Sequence, residues 1–428
     1  MRERKYDQLG VRMVEHRCAN GLTVTVLPKP GYNQVFATYS TNFGSIDHRF
    51  RSGDGREIKV PDGVAHFLEH KMFEKKEGDV FRLFASRAAS ANAYTTFDMT
   101  AYLFSATHDI LENLETLLDF VDEPYFTDET VEKEKGIIAQ EIRMYEDNPD
   151  ARVYYQLLKG LYEHHPVRIQ IAGTVESIRA ISKEDLYTCY RGFYHPQNMH
   201  LLVVGGIDPE TVIETVEKNQ AKKANRTAEG PAQRLAETEP DRVFQARQEC
   251  EMPVNTPRIF VGYKDVGTEV RGAEGLKRDA VTSLLFDALF TKGGPLYGQL
   301  FEKQLIDQSF GWEYDYGRGY AHAVIGGNTP EPERFLEVVA EGWRQVEQDG
   351  IGDEILERSR KRLIGQFVKS LDSLRFLARY ITAYHFKDMD LFATIPALQT
   401  VKREDVEARL RELIRPERQA VSLVRPVN

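Results

Sequence analysis

The feature that most constrains the fold of this chain is a repeat. Residues His66 to Phe84 lie on Ser283 to Phe301 at a constant offset of 217 positions, which matches Phe73 with Phe290 and Phe84 with Phe301. Further on, Thr127-Asp-Glu129 falls on Gly352-Asp-Glu354 at an offset of 225, and a long amphipathic stretch follows each. A unit that recurs in 428 residues predicts two domains of similar architecture rather than one oversized core. Within the first copy, Asn20-Gly-Leu-Thr-Val-Thr-Val26 reads as a turn and a strand, and Gln34 to Ser40 as a second strand. Ser90 to Thr96 and Thr100 to Ser105 read as a hairpin joined through Phe97-Asp-Met99. Apolar spacing predicts helices over 64–72, 110–122 and 128–146, the last capped by Thr127 or Asp128. Gly44 to Asp62 is polar and glycine-rich and is expected to be a loop. Leu201 to Val204, stopped by Gly205-Gly206, closes the first half.

The expected class is therefore α+β: two homologous halves, each a mostly antiparallel sheet with helices packed on one face. Residues 1–219 form the first domain, 220–243 an exposed linker poor in apolar side chains, and 244–428 the second domain.

The two copies differ where chemistry would sit. The first carries His66-Phe-Leu-Glu-His70 on its leading helix. Residues i and i+4 share a helix face, so both imidazoles can grip one metal ion, with Glu69 near enough to handle a proton on bound water. The same positions of the second copy hold Ser283, Phe286 and Asp287, so the metal-binding set is expected in the first half alone. A catalytic zinc usually has three protein ligands, which calls for another donor. On the helix 128–146, Val131, Glu134, Ile138, Glu141 and Tyr145 recur on one face. Two readings stand for its acids. Glu141 ligates while Glu134 orients a ligand imidazole, or the face is a solvated one laced by ion pairs, as Glu132-Lys-Glu-Lys135 would allow.

Composition removes several classes. A net charge of −10 argues against a nucleic-acid partner. No apolar run approaches a bilayer span, so no membrane partner is expected, and the polar start Met1-Arg-Glu-Arg-Lys5 is unlike a secretory signal. Cys18, Cys189 and Cys250 are odd in number and far apart, which fits reduced thiols and a cytoplasmic setting.

Taken together, Gly63-Val-Ala-His-Phe-Leu-Glu-His70, Ser90-Ala-Asn-Ala-Tyr-Thr95, Glu134-Lys-Gly-Ile-Ile-Ala-Gln-Glu141, Gly173-Thr174 after His165-Pro166, and Tyr194-His-Pro-Gln-Asn-Met199 resemble the pitrilysin/insulinase metallopeptidases, which include the mitochondrial processing peptidases. The H-x-x-E-H order is that of the inverzincins. The resemblance implies a duplicated metallohydrolase fold and one Zn2+ per chain, held by His66, His70 and Glu141. It assigns Glu69 as general base with Glu134 in support, and a strand Ala91-Asn92-Ala93 that pairs with an extended peptide. It implies an endopeptidase acting on short or unfolded peptides in a chamber between two domains. The chain departs from the family where an Arg and, seven residues on, a Tyr are expected, for Phe301 and Gln308 stand there. A related insulinase-family subunit, or a second copy of the chain, is the expected source of that pair. Glu141 also lies a few residues closer to His70 than the family spacing. The alternatives are a weakly active peptide-binding or scaffold subunit associated with protein modification, and a zinc hydrolase acting on something other than peptides.

Overall fold

The computed structural model describes residues 1–223, 230–266 and 270–427. They divide into two compact units: Met1–Ile142 with Gln170–Leu235 and Ser370–Phe386, and Arg143–Ile169 with Ala236–Lys369 and Lys387–Asn428.

The first unit is built on strands Arg2–Tyr6 (β1), Val11–Arg17 (β2), Thr23–Pro28 (β3), Val35–Thr41 (β4), Ser90–Thr95 (β5), Thr100–Ala106 (β6) and Met199–Gly205 (β7). Their order across the sheet is β1-β2-β3-β7-β4-β6-β5, with β7 parallel to β3 and every other neighbour antiparallel. Strand β5 is thus an edge. The second unit carries Arg247–Met252 (β8), Arg258–Asp265 (β9), Gly311–Gly317 (β10), Tyr320–Asn328 (β11) and Gln419–Pro426 (β12), in the order β8-β12-β9-β11-β10. Among the described residues β8 and β12 are its only parallel pair. This is the order and polarity of β3-β7-β4-β6-β5, so the repeat read from scattered aromatic matches extends to five strands of each sheet, with β1 and β2 added in the first.

Period-two alternation explains how the first sheet is covered. On β4, Tyr39 points to the helix Ile110–Asp122, its hydroxyl donating to Asp122 Oδ1 at 3.1 Å. Its neighbour Thr38 points the opposite way and meets Thr382 at 3.5 Å. The ring of His200 on β7 stacks on that of His385, with centroids 4.1 Å apart. Thr382 and His385 belong to the helix Leu374–Phe386, so this sheet is covered on both faces, not on one as expected. Conversely, Pro149–Leu161 packs within the second unit. A side chain at Gly262 of β9 would press to 3.0 Å from Leu157 and Leu161, so glycine there lets helix and sheet approach closely. Each unit therefore takes one helix from the other half of the sequence, a discontinuity that the contiguous boundaries 1–219 and 244–428 lack.

Two local expectations need correction. Gly44 to Asp62 is not a plain loop: Arg49–Arg51 and Glu57–Lys59 pair there, and Gln233–Arg234 adds a third strand. Those last residues come from the expected linker. Ala232 is buried with its N–H on Gly192 O at 2.8 Å, and Arg234 pairs with Asp47 at 2.8 Å, so this end is docked rather than exposed. Residues 224–229 of the linker lie outside the described residues. Among the described residues, no helix is long and apolar enough to cross a membrane.

Candidate metal centre

The motif helix runs Val64–Met72, as its apolar spacing predicts. At nine residues it is too short to persist alone. Burial of Val64, Ala65, Phe67, Leu68 and Met72 in the core of the first unit holds it. Its start is fixed by backbone geometry. Gly63 has φ +90°, and a Cβ there would sit 2.4 Å from Ala172 O, while a Cβ at Gly173 would sit 2.5 Å from Asp62 O. Two glycines 110 positions apart thus let two chain segments touch, which sets where the histidines emerge.

The second acidic element is the helix Asp128–Glu146. Thr127 caps it, its Oγ1 accepting from Thr130 N–H at 3.2 Å. Val131, Ile138 and Ile142 are buried and dock the helix, which carries Glu134 and Glu141 inward on the same face. Tyr145, expected on that face, is exposed instead, because the buried contact ends one turn earlier. The pair Lys135–Glu132, 2.5 Å apart, lies away from the site, so ion pairing and site formation occupy different faces of one helix.

The two helices bring three donors together. His66 Nε2 and His70 Nε2 each lie 3.6 Å from an oxygen of Glu141, and His66, His70 and Glu141 each offer a donor atom within 4.8 Å of the others. The imidazole centroids are 4.5 Å apart. Separations of 3.6 Å exceed hydrogen-bond length. They approach the roughly 3.3 Å edge of a tetrahedron of N and O donors drawn at about 2.0–2.1 Å around zinc. His66 Nδ1 is buried with no hydrogen-bond partner, so the Nε2 side carries all of that ring's polar satisfaction. The donor set and its spacing fit a zinc ion. Behind the donors, Glu134 Oε1 lies 3.0 Å from His70 Nδ1, which fixes the ring and leaves Nε2 free to ligate. Between the two helices the chain pairs Glu74–Lys75 with Gly78–Asp79 and makes a helical turn at Phe81–Ser86.

Burial sets the charge states. Desolvation lowers His66 to about 3, helped by His70, so its imidazole is neutral. Burial also opposes protonation of His70, but the Glu134 hydrogen bond and the charges of Glu69, Glu134 and Glu141 outweigh it and raise the ring above its ordinary value. Desolvation pushes Glu69 up to about 7, against the Thr95 hydrogen bond and His70 and with Glu141 adding to the rise. Thr95 Oγ1 donates to Glu69 Oε2 at 2.6 Å. Thr95 is the residue that reading the motif alone passes over. The alternation Ala91, Ala93, Thr95 along β5 puts its hydroxyl on the helix side and could have found it.

A cavity of about 520 Å³ opens beside these groups, lined among others by Glu69, His70, Phe73, Phe81, Asn92 and Glu134. Ala93 lines it too, whereas Ala91 does not. Asn92 is exposed on the edge strand and its Oδ1 accepts from Ala93 N–H at 2.9 Å. The second copy shows what loss of the motif does. Asp287, in the place of His70, is buried and paired with Arg362. Phe301 is exposed and, with Gln308, lines a separate cavity of the second unit. Tyr314 is buried with its hydroxyl donated to Asp265 at 2.7 Å, and Tyr316 is buried with Lys387 4.2 Å from its ring centre.

Residues 43–175 match the family model described as insulinase (peptidase family M16), and residues 180–363 that of the peptidase M16 inactive domain. YmfH of Bacillus subtilis strain 168, described as an uncharacterized zinc protease, is 46% identical over 423 residues, covering 99% of this chain and 98% of its own. A crystal structure of a protein described as M16-like, from Alicyclobacillus acidocaldarius, superposes with a TM-score of 0.93 at 42% identity, over 97% of this chain and 99% of that one. A protease from Helicobacter pylori gives a TM-score of 0.80 at 18% identity over 97% of this chain and 99% of that one, a likeness of fold alone.

Proposed function

The chain belongs to the insulinase (M16) family of peptidases, and from that premise we propose that it is a zinc-dependent endopeptidase in which His66, His70 and Glu141 hold the metal and Glu69 is the general base. The observation that carries this reading is the spacing of the three donors, which is too wide for hydrogen bonds and suited to one shared cation. Zinc bound there would lower the pKa of water and polarise a peptide carbonyl. Glu69 would take the proton of the attacking water and return it to the leaving amine. Burial that raises its proton affinity, with Thr95 orienting one carboxylate oxygen, supports that role.

Short or unfolded peptides suit the site because β5 is an edge strand whose free side can accept another strand. Asn92 and Ala93 line the cavity with Glu69, which supports their part in positioning the peptide backbone. Phe301 and Gln308 supply neither the charge nor the hydroxyl that a tetrahedral intermediate would use. A related subunit or a second copy supplies those donors in this reading. The same absence favours a second reading, a peptide-binding or scaffold subunit associated with protein modification that is weakly active by itself. All three cysteines are free, which supports a reducing, cytoplasmic setting.

The test is cleavage of unstructured peptides by the purified chain, alone and with its co-purifying partner. Cleavage that chelator stops, zinc restores and Glu69→Gln abolishes while peptide still binds is the expected result. Turnover by Glu69→Gln at the wild-type rate would remove Glu69 from the mechanism. Peptide binding with no cleavage under any of these conditions would favour the scaffold.

A further inference from the structure

A second trio of metal-ligating side chains lies in the first unit, apart from the candidate centre. His16 is the penultimate residue of β2, Cys18 lies just past the strand's end, and Glu217 projects from the helix Pro209–Ala221. Each offers a donor atom within 4.8 Å of the others, and His16 Nε2 is 2.6 Å from Glu217 Oε1. His16 and Cys18 are two apart on extended chain, so both face the same way. A tight turn fixes Cys18, its N–H donating to Leu22 O and its carbonyl accepting from Gly21 N–H, both at 2.9 Å. The same turn is already clamped to the same helix, for Asn20 Nδ2 donates to Gln220 Oε1 at 2.8 Å, one helical turn beyond Glu217. The three donors are therefore held by ordered backbone on both sides. Cys18 is 4% exposed, whereas the His16 and Glu217 side chains are 20% and 39% exposed, which leaves a path for an ion and a water.

We propose that His16, Cys18 and Glu217 form a second metal site, structural in character, which takes a borderline-soft divalent cation such as Zn2+ or Co2+ and ties the end of β2 to the helix Pro209–Ala221. One sulfur, one imidazole and one carboxylate select such a cation over Mg2+ or Ca2+, which want oxygen alone. Without metal, burial and Glu217 hold the thiol protonated, pushing it up to about 12. On binding, the sulfur releases that proton to solvent and takes the cation, a water fills the fourth position, and the carboxylate turns from the proton to the metal. Tetrahedral coordination needs the donors roughly 3.3–3.6 Å apart, so the His16–Glu217 contact must open by under an ångström.

The test is cobalt titration of the reduced full chain. A cobalt–thiolate charge-transfer band reports this cluster alone, because the candidate peptidase centre has no cysteine among its donors. The wild type should develop that band and bind two metal ions per chain. Cys18→Ser should lose the band, bind one ion and keep whatever peptide cleavage the wild type has. Glu217→Gln, which keeps the thiol, should bind cobalt at this site at least tenfold more weakly in competition with a chelator. No band in the wild type under excess Co2+, a band that survives in Cys18→Ser, or unchanged affinity in Glu217→Gln overturns the proposal.

Discussion

Replacing Glu134 with alanine leaves all three proposed metal donors in place and removes the group that aims one of them. Its Oε1 lies 3.0 Å from His70 Nδ1, and its side chain is 14% exposed, so the contact is a charge-assisted hydrogen bond shielded from bulk water. Such a bond contributes about 1.5–3 kcal/mol. Partners of this kind typically carry about 10–100-fold of metal affinity, or about 1.4–2.7 kcal/mol, so the two routes agree. Glu134→Ala lets water from the adjoining cavity replace the carboxylate, which bounds the loss at the upper end of that range. Glu134→Gln keeps an acceptor without its charge and should lose on the order of tenfold or less. The assay is zinc competition against a chromophoric chelator, in a Cys18→Ser background so that one site is read. The expected order of affinity is wild type, then Glu134→Gln, then Glu134→Ala. Wild-type affinity in Glu134→Ala would refute the reasoning, because His70 would then need no orienting partner.

Three further outcomes follow from the same structure. Because burial raises Glu69 from 4.5 to about 7, the folded metal-free protein holds a proton there that the unfolded chain has released between those values. That contribution to stability is full below about pH 4.5 and lost as pH climbs through 7, so the stability of chelated Glu69→Gln relative to wild type should grow by about 2–3 kcal/mol from pH 5 to pH 8. A pH-independent difference in denaturant midpoints would contradict it. Asn92→Ala should raise KM for peptides roughly tenfold, the worth of about one hydrogen bond, with zinc affinity unchanged; an unchanged kcat/KM would take Asn92 out of peptide binding. Asp265→Asn should destabilise the second unit by about 3–5 kcal/mol, since Asp265 is the buried partner of Arg278 and Arg409. Equal denaturant midpoints for this variant and the wild type would show that the buried network contributes little.

The elements that sequence reading locates best are those whose signal is local. The hairpin through Phe97-Asp-Met99 and the helices 110–122 and 128–146 follow from alternation, spacing and the Thr127 cap, and the structure has them at those positions. The inward face of Glu134 and Glu141 was legible for the same reason, since Val131 and Ile138 beside them are buried. Amphipathicity says that one face of a helix will be covered, but not by what. Nothing in Pro149–Leu161 or Leu374–Phe386 marks them as packing with the other half's sheet. Leu374–Phe386 on β4 and β7 is legible only after Thr38 and His200 are seen facing it. The short strands Arg49–Arg51 and Glu57–Lys59 pair locally but are three residues each, too short to show an alternation, and the strand that joins Arg49–Arg51, Gln233–Arg234, lies far along the chain. Gly63 and Gly173 were legible as motif residues, but their shared cause, a backbone contact, is three-dimensional.

The measurement that tests the central claim most directly is an anomalous difference map, recorded at the zinc edge from crystals of the zinc-loaded chain. A peak at about 2.0–2.1 Å from His66 Nε2, His70 Nε2 and a Glu141 oxygen together is the predicted result. Zinc-saturated crystals with no peak between those three donors, or with one bound to the histidines and not to Glu141, would contradict it.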